Sequence, residues 1–411
     1  MQVIFLSVAL LLSTSISQGA PLASSGGSVP SAGDKPTTST ASSPHASGVI
    51  SSNTTAPGSN TTAPGGNTTA SIGNLTAPAG NGSTSMWVGG NNYYAYALPA
   101  QERYALLDGM KASGMKVLRT WVSGAAAGQK GSDNIDVPDL EANGIGRYDD
   151  TILTAIDQLM VDAHDRGIKL LIGMYDQNVL KANDTYGKTY TPQGFYTNPA
   201  AMTAFSNRIK YILTTHQNKL VGNQPWSALS SYIFGLEAQN EPMIFLPQSF
   251  QEQNWGWICN ASQMIRSNVA DKNIVILSGG NDAKESVQPL FLESSCPVDV
   301  VSIHDYDSDF STWMPDAITQ AKTAGKRLLV EEWGSLVGSD RETQLASNIK
   351  ALASIGVPWL YWEYITNKDP GQSDDFEIEV NGTDWSVVAN AAAAASTATN
   401  GVFDFSDALA L

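Results

Sequence analysis

FGLEAQNEPM, residues 234–243, leaves an apolar run and ends by crowding Gln239, Asn240 and Glu241 against Pro242. The run reads as a buried strand, and Pro242 ends it because proline has no N–H to offer a ladder. Two amides and a carboxylate at such a point are costly to bury unless they are paired or used. What they do depends on the other strands around them.

Seven further β-rich runs are found beside SYIFGLEAQ from Ser231. They are MWVGGNNYY from Met86, MKVLRTW from Met115, IKLLIGMY from Ile168, NIVILSGG from Asn273, VDVVSIHDY from Val298, RLLVEEW from Arg327 and VPWLYWEY from Val357. Helical patterns lie between them, such as PAQERYALLDGMKASG, DTILTAIDQLMVDAHDRG and PAAMTAFSNRIKYILTTH. In the second of these Ile152, Ile156, Leu159 and Ala163 recur every three or four residues, and Gly167 supplies the stop. Eight β then α units with strands apolar on both faces predict an α/β fold, a (β/α)8 TIM barrel. An open doubly wound sheet is the competing arrangement, but no G-x-G-x-x-G follows the first strand.

A barrel gathers its strand ends at one mouth. The second strand offers Arg119, the fourth Asn240 and Glu241, the sixth His304 and Tyr306, the seventh Glu331 and Glu332, and the eighth Trp362. Side chains alternate along a strand, so only one of Glu331 and Glu332 is expected to face the mouth.

The composition narrows the partners. With 23 basic against 39 acidic residues the formal charge is −16, which disfavours nucleic acid and anionic membranes. Residues 1–20 carry no charge and an apolar run from Val3 to Leu12, and they read as a secretory signal peptide, the run being too short for a span. Residues 21–85 are rich in Ser, Thr, Gly, Ala and Pro and read as a disordered linker. Repeats such as NTTAPGS and NTTAPGG place glycosylation acceptors at Asn53, Asn60, Asn67, Asn74 and Asn81, and further sequons occur at Asn183, Asn260 and Asn381. Residues 86–411 are then the barrel domain with a short C-terminal tail. A secreted, extracellular monomer is expected.

QNEP on the fourth strand, HDY on the sixth, EEWG on the seventh, LRTW on the second and a Trp on the eighth resemble glycoside hydrolase family 5, in the clan of retaining glycosidases. The resemblance spans about Met86 to Val388. It implies a secreted polysaccharide hydrolase with Glu241 as acid and then base and Glu332 as nucleophile, since the family pattern places the nucleophile directly before aromatic-Gly, here Trp333 and Gly334. Glu331 is then expected to point outward or to pair with a basic neighbour. Arg119 and Tyr306 would hold Glu332, Asn240 would grip the sugar 2-hydroxyl, His304 would contact the nucleophile region or the sugar, and Trp362 would floor the cleft. No metal or cofactor is implied.

GGNNYYAY, RTW and NGIGRYDD resemble the fungal-type endo-β-1,4-mannanase branch, in which Asn92 and Trp121 would line the cleft. MYDQN at the third strand end, VSG after RTW, and Gln239 depart from that branch, so a β-glucanase or an exo-acting β-glycosidase remains open, endo action being the expectation. The segment from Tyr175 to Tyr196 is expected to build one wall of the cleft. A non-catalytic carbohydrate-binding cell-wall protein is the alternative from another class. Among ten tryptophans, Trp121, Trp255, Trp257, Trp313, Trp333 and Trp362 suit sugar stacking, whereas Trp226 and Trp359 read as core. Cys259 and Cys296 are compatible with one disulfide tying the helix after strand four to the loop before strand six.

Overall fold

The computed structural model describes residues 84–367 and 375–411. The signal peptide, the linker up to residue 83 and the sequons at Asn53, Asn60, Asn67, Asn74 and Asn81 lie outside the described residues.

Eight parallel strands close into a barrel. They are β1 (Val88–Asn91), β2 (Val117–Trp121), β3 (Lys169–Gly173), β4 (Ile233–Glu237), β5 (Val275–Leu277), β6 (Val300–His304), β7 (Arg327–Glu332) and β8 (Trp359–Tyr361). Each sits within one of the eight expected runs, and β1 pairs with both β8 and β2, which closes the ring. Runs such as KLLIG and VVSIH are buried throughout, as strands must be when a packed interior lies on one face and helices on the other. The helix Thr151–His164 buries Ile152, Ile156, Leu159 and Ala163. Gly167, at φ 75°, takes the left-handed position after it, and the Ile168 N–H donates back to the Ala163 carbonyl at 3.0 Å.

One irregularity shapes the site. Along β6 and β7, Ile303 faces Val330 but His304 faces Glu332, so Glu331 is an extra residue on β7. That is a β-bulge, which breaks strict alternation.

At the opposite end of the barrel the C-terminal tail packs under the strand starts. Lys169 Nζ donates to the carbonyls of Ala408 (2.6 Å) and Ala410 (2.9 Å), and the Phe405 ring lies 5.3 Å from Trp87 and 5.8 Å from Phe234. Cys259, in the helix Gly256–Arg266, is bonded to Cys296 ahead of β6. Asn183, Asn260 and Asn381 are exposed. No helix among the described residues is long and apolar enough to cross a membrane.

Candidate active site

Arg119 stands at the centre of the mouth, fully buried. Its five N–H groups each have an acceptor: Nε donates to Glu237 Oε1 (3.1 Å), Nη1 to Asn91 Oδ1 (3.2 Å) and Glu332 Oε1 (2.5 Å), and Nη2 to Glu237 Oε1 (2.7 Å) and Asn240 Oδ1 (2.7 Å). A planar, permanently charged fork is the side chain suited to this many fixed bonds. Tyr306 donates to the other oxygen of Glu332 at 2.7 Å.

Glu331 does not point outward. The bulge turns its side chain into the barrel, fully buried, where Oε1 accepts from Ser302 Oγ at 2.9 Å and Oε2 lies 3.1 Å from His304 Nε2 and 3.5 Å from Arg119 Nη2. Its expected pairing with a basic residue is thus with two. Burial works against its ionisation, but Arg119 and His304 outweigh that and hold its carboxyl below the usual range. For His304 burial again opposes the charge, and Glu332, Glu241 and Glu331 together raise the imidazole to about 10. As an imidazolium it donates through Nδ1 to Glu241 Oε1 (3.1 Å) and through Nε2 to Glu331. Burial pushes the Glu332 carboxyl up, against the pull of His304 and Arg119.

Glu241 sits past the end of β4 at φ 48°, a left-handed conformation uncommon for a non-glycine residue and concentrated at functional sites. Its N–H donates to the Gly279 carbonyl at 2.8 Å. Gly280, at φ 78°, makes room for the imidazole, since a Cβ there would meet His304 Nε2 at 2.1 Å. One carboxylate oxygen each from Glu241 and Glu332, with a His304 ring nitrogen, lie within 4.8 Å of one another. The three could ligate a cation, but as a carboxylate pair they have the close spacing of a retaining glycosidase, about 5 Å, rather than the wider gap that inversion needs for a water.

Asn240 has its orientation fixed on both sides. Its carbonyl accepts from Arg119, and Nδ2 donates to Asp176 Oδ1 at 3.0 Å, leaving one amide hydrogen for a ligand. Burial raises Asp176 to about 6. Trp362 is partly exposed, with Trp121 stacked 5.3 Å away at 22° and Tyr93 6.1 Å away at 10°.

Some expected contacts fall elsewhere. Asn92 is fully buried, its Nδ2 donating to the Tyr364 carbonyl (2.9 Å) and its Oδ1 accepting from the Tyr94 N–H (3.2 Å), so backbone partners occupy it instead of the cleft. Trp333 is buried against Trp359 and Tyr361, and Trp255 and Trp257 are also core. The segment from Tyr175 to Tyr196 folds into short helices, with Asp184 capping one by accepting from the Gly187 N–H at 2.8 Å.

Sequence reasoning leaves Glu237 out, turns Glu331 outward or onto a basic neighbour, and gives Asp176 only a place in the segment expected to wall the cleft. Glu237 is fully buried, and burial pushes its carboxyl well above the ordinary value against the pull of Arg119. The signal was present, because a carboxylate in the apolar run SYIFGLEAQ needs a partner as much as Glu241 does.

Comparison with solved structures places this barrel beside sugar-cleaving ones. The endo-1,4-β-D-mannanase of Thermotoga petrophila matches with a TM-score of 0.58 at 19% identity, over 75% of this chain and 99% of that one. The endo-1,4-β-mannanase of Rhizomucor miehei matches with a TM-score of 0.57 at 19% identity, over 76% and 95%. An exo-β-1,4-mannosidase from an Opitutaceae bacterium matches with a TM-score of 0.55 at 17% identity, over 76% and 60%. At these identities the likeness is one of fold. No curated protein matches the chain. The family model described as cellulase (glycosyl hydrolase family 5) matches residues 78–368, and the chain belongs to that family of glycoside hydrolases.

Proposed function

We propose that this protein is a secreted, monomeric, retaining glycoside hydrolase that cleaves β-1,4-mannosidic bonds in mannan-type polysaccharides. The observation that carries the reaction is the placing of Glu241 and Glu332 oxygens within 4.8 Å, with Arg119 and Tyr306 on the second carboxylate. Glu332 attacks the anomeric carbon while Glu241 gives its proton to the departing glycosidic oxygen, leaving a sugar esterified to Glu332. Glu241, now ionised, takes a proton from water as the water oxygen attacks the same carbon and Glu332 leaves. The remaining Asn240 amide hydrogen suits the sugar 2-hydroxyl, and Trp362 suits the apolar face of the ring.

Mannan as substrate is supported by the resemblance at the first two strand ends and by the activities named for the structural neighbours. Secretion is supported by the uncharged apolar leader, the Cys259–Cys296 bond and the exposed sequons. The test is product analysis of the protein on unbranched β-1,4-mannan and β-1,4-glucan in parallel, with Glu332→Ala as control. Hydrolysis of mannan with retained anomeric configuration, abolished by that substitution, is the expected result. Activity confined to glucan would overturn the substrate, and full activity of the variant would overturn the mechanism.

A further inference from the structure

After β8 the chain returns over the barrel mouth at Asp375, Phe376 and Glu377. The Val337 N–H, beyond β7, donates to the Asp375 carbonyl at 2.9 Å, and the Tyr361 hydroxyl donates to the Phe376 carbonyl at 2.7 Å. The Phe376 ring lies 4.6 Å from that of Tyr306, the donor to Glu332. Lys130, in the loop after β2, meets this returning segment, with Nζ 3.3 Å from Asp375 Oδ1 and also paired with Glu377. Since β1 lies between β2 and β8, the link spans the β1 sector of the mouth.

The same link stands next to the sugar floor. Gln129, the neighbour of Lys130, accepts from the Tyr93 hydroxyl at 2.5 Å, and Tyr93 stacks on Trp362. Burial works against the Lys130 ammonium, but the buried Glu363, the residue after Trp362, together with Glu377 and Asp375 outweighs it. Lys130 is therefore held from behind by acidic groups and beside the floor by Gln129.

Direction follows from the ring of strands. The bond to be broken lies between Glu241, past β4, and Glu332, while the sugar being transferred rests on Trp362, past β8. In the closed order β4 and β8 stand opposite one another. The leaving group departs past Glu241, and the non-reducing end of the bound sugar points toward β8 and β1, where Lys130 meets Asp375.

Resting on the roles given above to Glu241, Glu332 and Trp362, we infer that the Lys130–Asp375 bridge closes the cleft behind a single sugar, so that the enzyme removes one monosaccharide at a time from non-reducing ends. A terminal ring presents free hydroxyls there, which an ammonium can donate to and a carboxylate can accept from. An internal ring presents a glycosidic oxygen and a further sugar at the same place. That sugar would have to displace the bridge.

The test is early-time digestion of mannohexaose and cellohexaose, each labelled at the reducing end, by the native protein. Mannose as the first unlabelled product, with the label on the chain one sugar shorter, is the expected result. Label on two- to four-sugar fragments at the earliest times would overturn the inference. Hydrolysis confined to cellohexaose would defeat the mannan reading alone, and the position of the label in that series would still decide between end-trimming and internal cutting. In a Lys130→Ala, Asp375→Ala double variant, shown to be folded by circular dichroism, internal fragments should rise about tenfold relative to monosaccharide. A folded variant that still trims one sugar at a time would overturn the bridge as the stop.

Discussion

Glu331 and Glu332 are consecutive in the chain, yet both carboxylates enter the barrel, Glu331 to His304 Nε2 at 3.1 Å and Glu332 to Arg119 Nη1 at 2.5 Å. The extra residue on β7 converts an alternating pair into a converging one. Two cations, Arg119 and His304, thereby sit among Glu237, Glu331 and Glu332, with Glu241 at the edge.

Glu331→Gln should alter turnover without touching substrate. It removes one of the three carboxylates that raise His304 to about 10, so the imidazole loses its proton at lower pH. The expected result is a fall in kcat of about tenfold, from the lost charge-assisted bond, with the alkaline limb moved to lower pH. A pH–rate profile measures both, and an unmoved alkaline limb would count against the array.

Arg119→Lys keeps the charge and loses the fork. An ammonium has three donors where the guanidinium uses five, and it cannot serve Glu237, Asn240 and Glu332 in one plane. Activity should fall by about a hundredfold, with KM changed less than kcat. Steady-state kinetics decide it, and near wild-type turnover would show that charge alone suffices.

The acidic side of the rate profile should lie above the ordinary glutamate value. As the proposed nucleophile Glu332 must be ionised, and burial raises its carboxyl from 4.5, so kcat/KM should begin to fall at a higher pH than an exposed glutamate would dictate. An acidic limb at or below 4.5 would contradict the raised nucleophile.

Stability should follow the same acids. Burial raises Glu377 to about 7 and Asp176 and Asp305 to about 6. In the unfolded chain such groups lose their protons near pH 4, so between about 4 and 7 the folded state binds more protons. This contribution is complete below that window and is lost as pH rises through it, and His304 extends the trend upward. The melting temperature should be higher at about pH 5 than at about pH 7.5, which calorimetry can check, and the reverse order would refute the assignment.

Gly280→Ala should cost activity through His304. The added Cβ would fall 2.1 Å from Nε2, and the φ of 78° is one that alanine adopts at a penalty. A loss of roughly 1–3 kcal/mol in stability with a fall in kcat is expected, measured by denaturant unfolding and kinetics. Wild-type values for both would mean that the imidazole can sit elsewhere.

The barrel was legible because eight short apolar runs bounded by helical periodicity have few other ways to bury both faces. Glu241, Glu332, Arg119 and Tyr306 were legible because strand ends in a barrel converge. What escaped was local. Alternation placed Glu331 outside, and a one-residue bulge has no composition of its own to betray it. Asn92 read as a cleft amide, but the turn after β1 uses its side chain to satisfy backbone groups of Tyr94 and Tyr364. Gln239 read as a departure near the sugar, and it lies instead within 2.9 Å of the Tyr196 hydroxyl, a tie between the β4 end and the segment after β3. Contacts of that kind join distant side chains, and a single sequence does not record them.

The segment beneath the barrel closes the fold across very long loops. Lys169 on β3 finds its acceptors, the carbonyls of Ala408 and Ala410, at sequence separations of 239 and 241 residues. Phe405 likewise joins Trp87 from the far side of the domain. Contacts of such separation repay their loop-closure entropy only after the local ones have formed. The base of the barrel is therefore a late part of folding, and until residues 405–410 dock, the Lys169 ammonium stays in water.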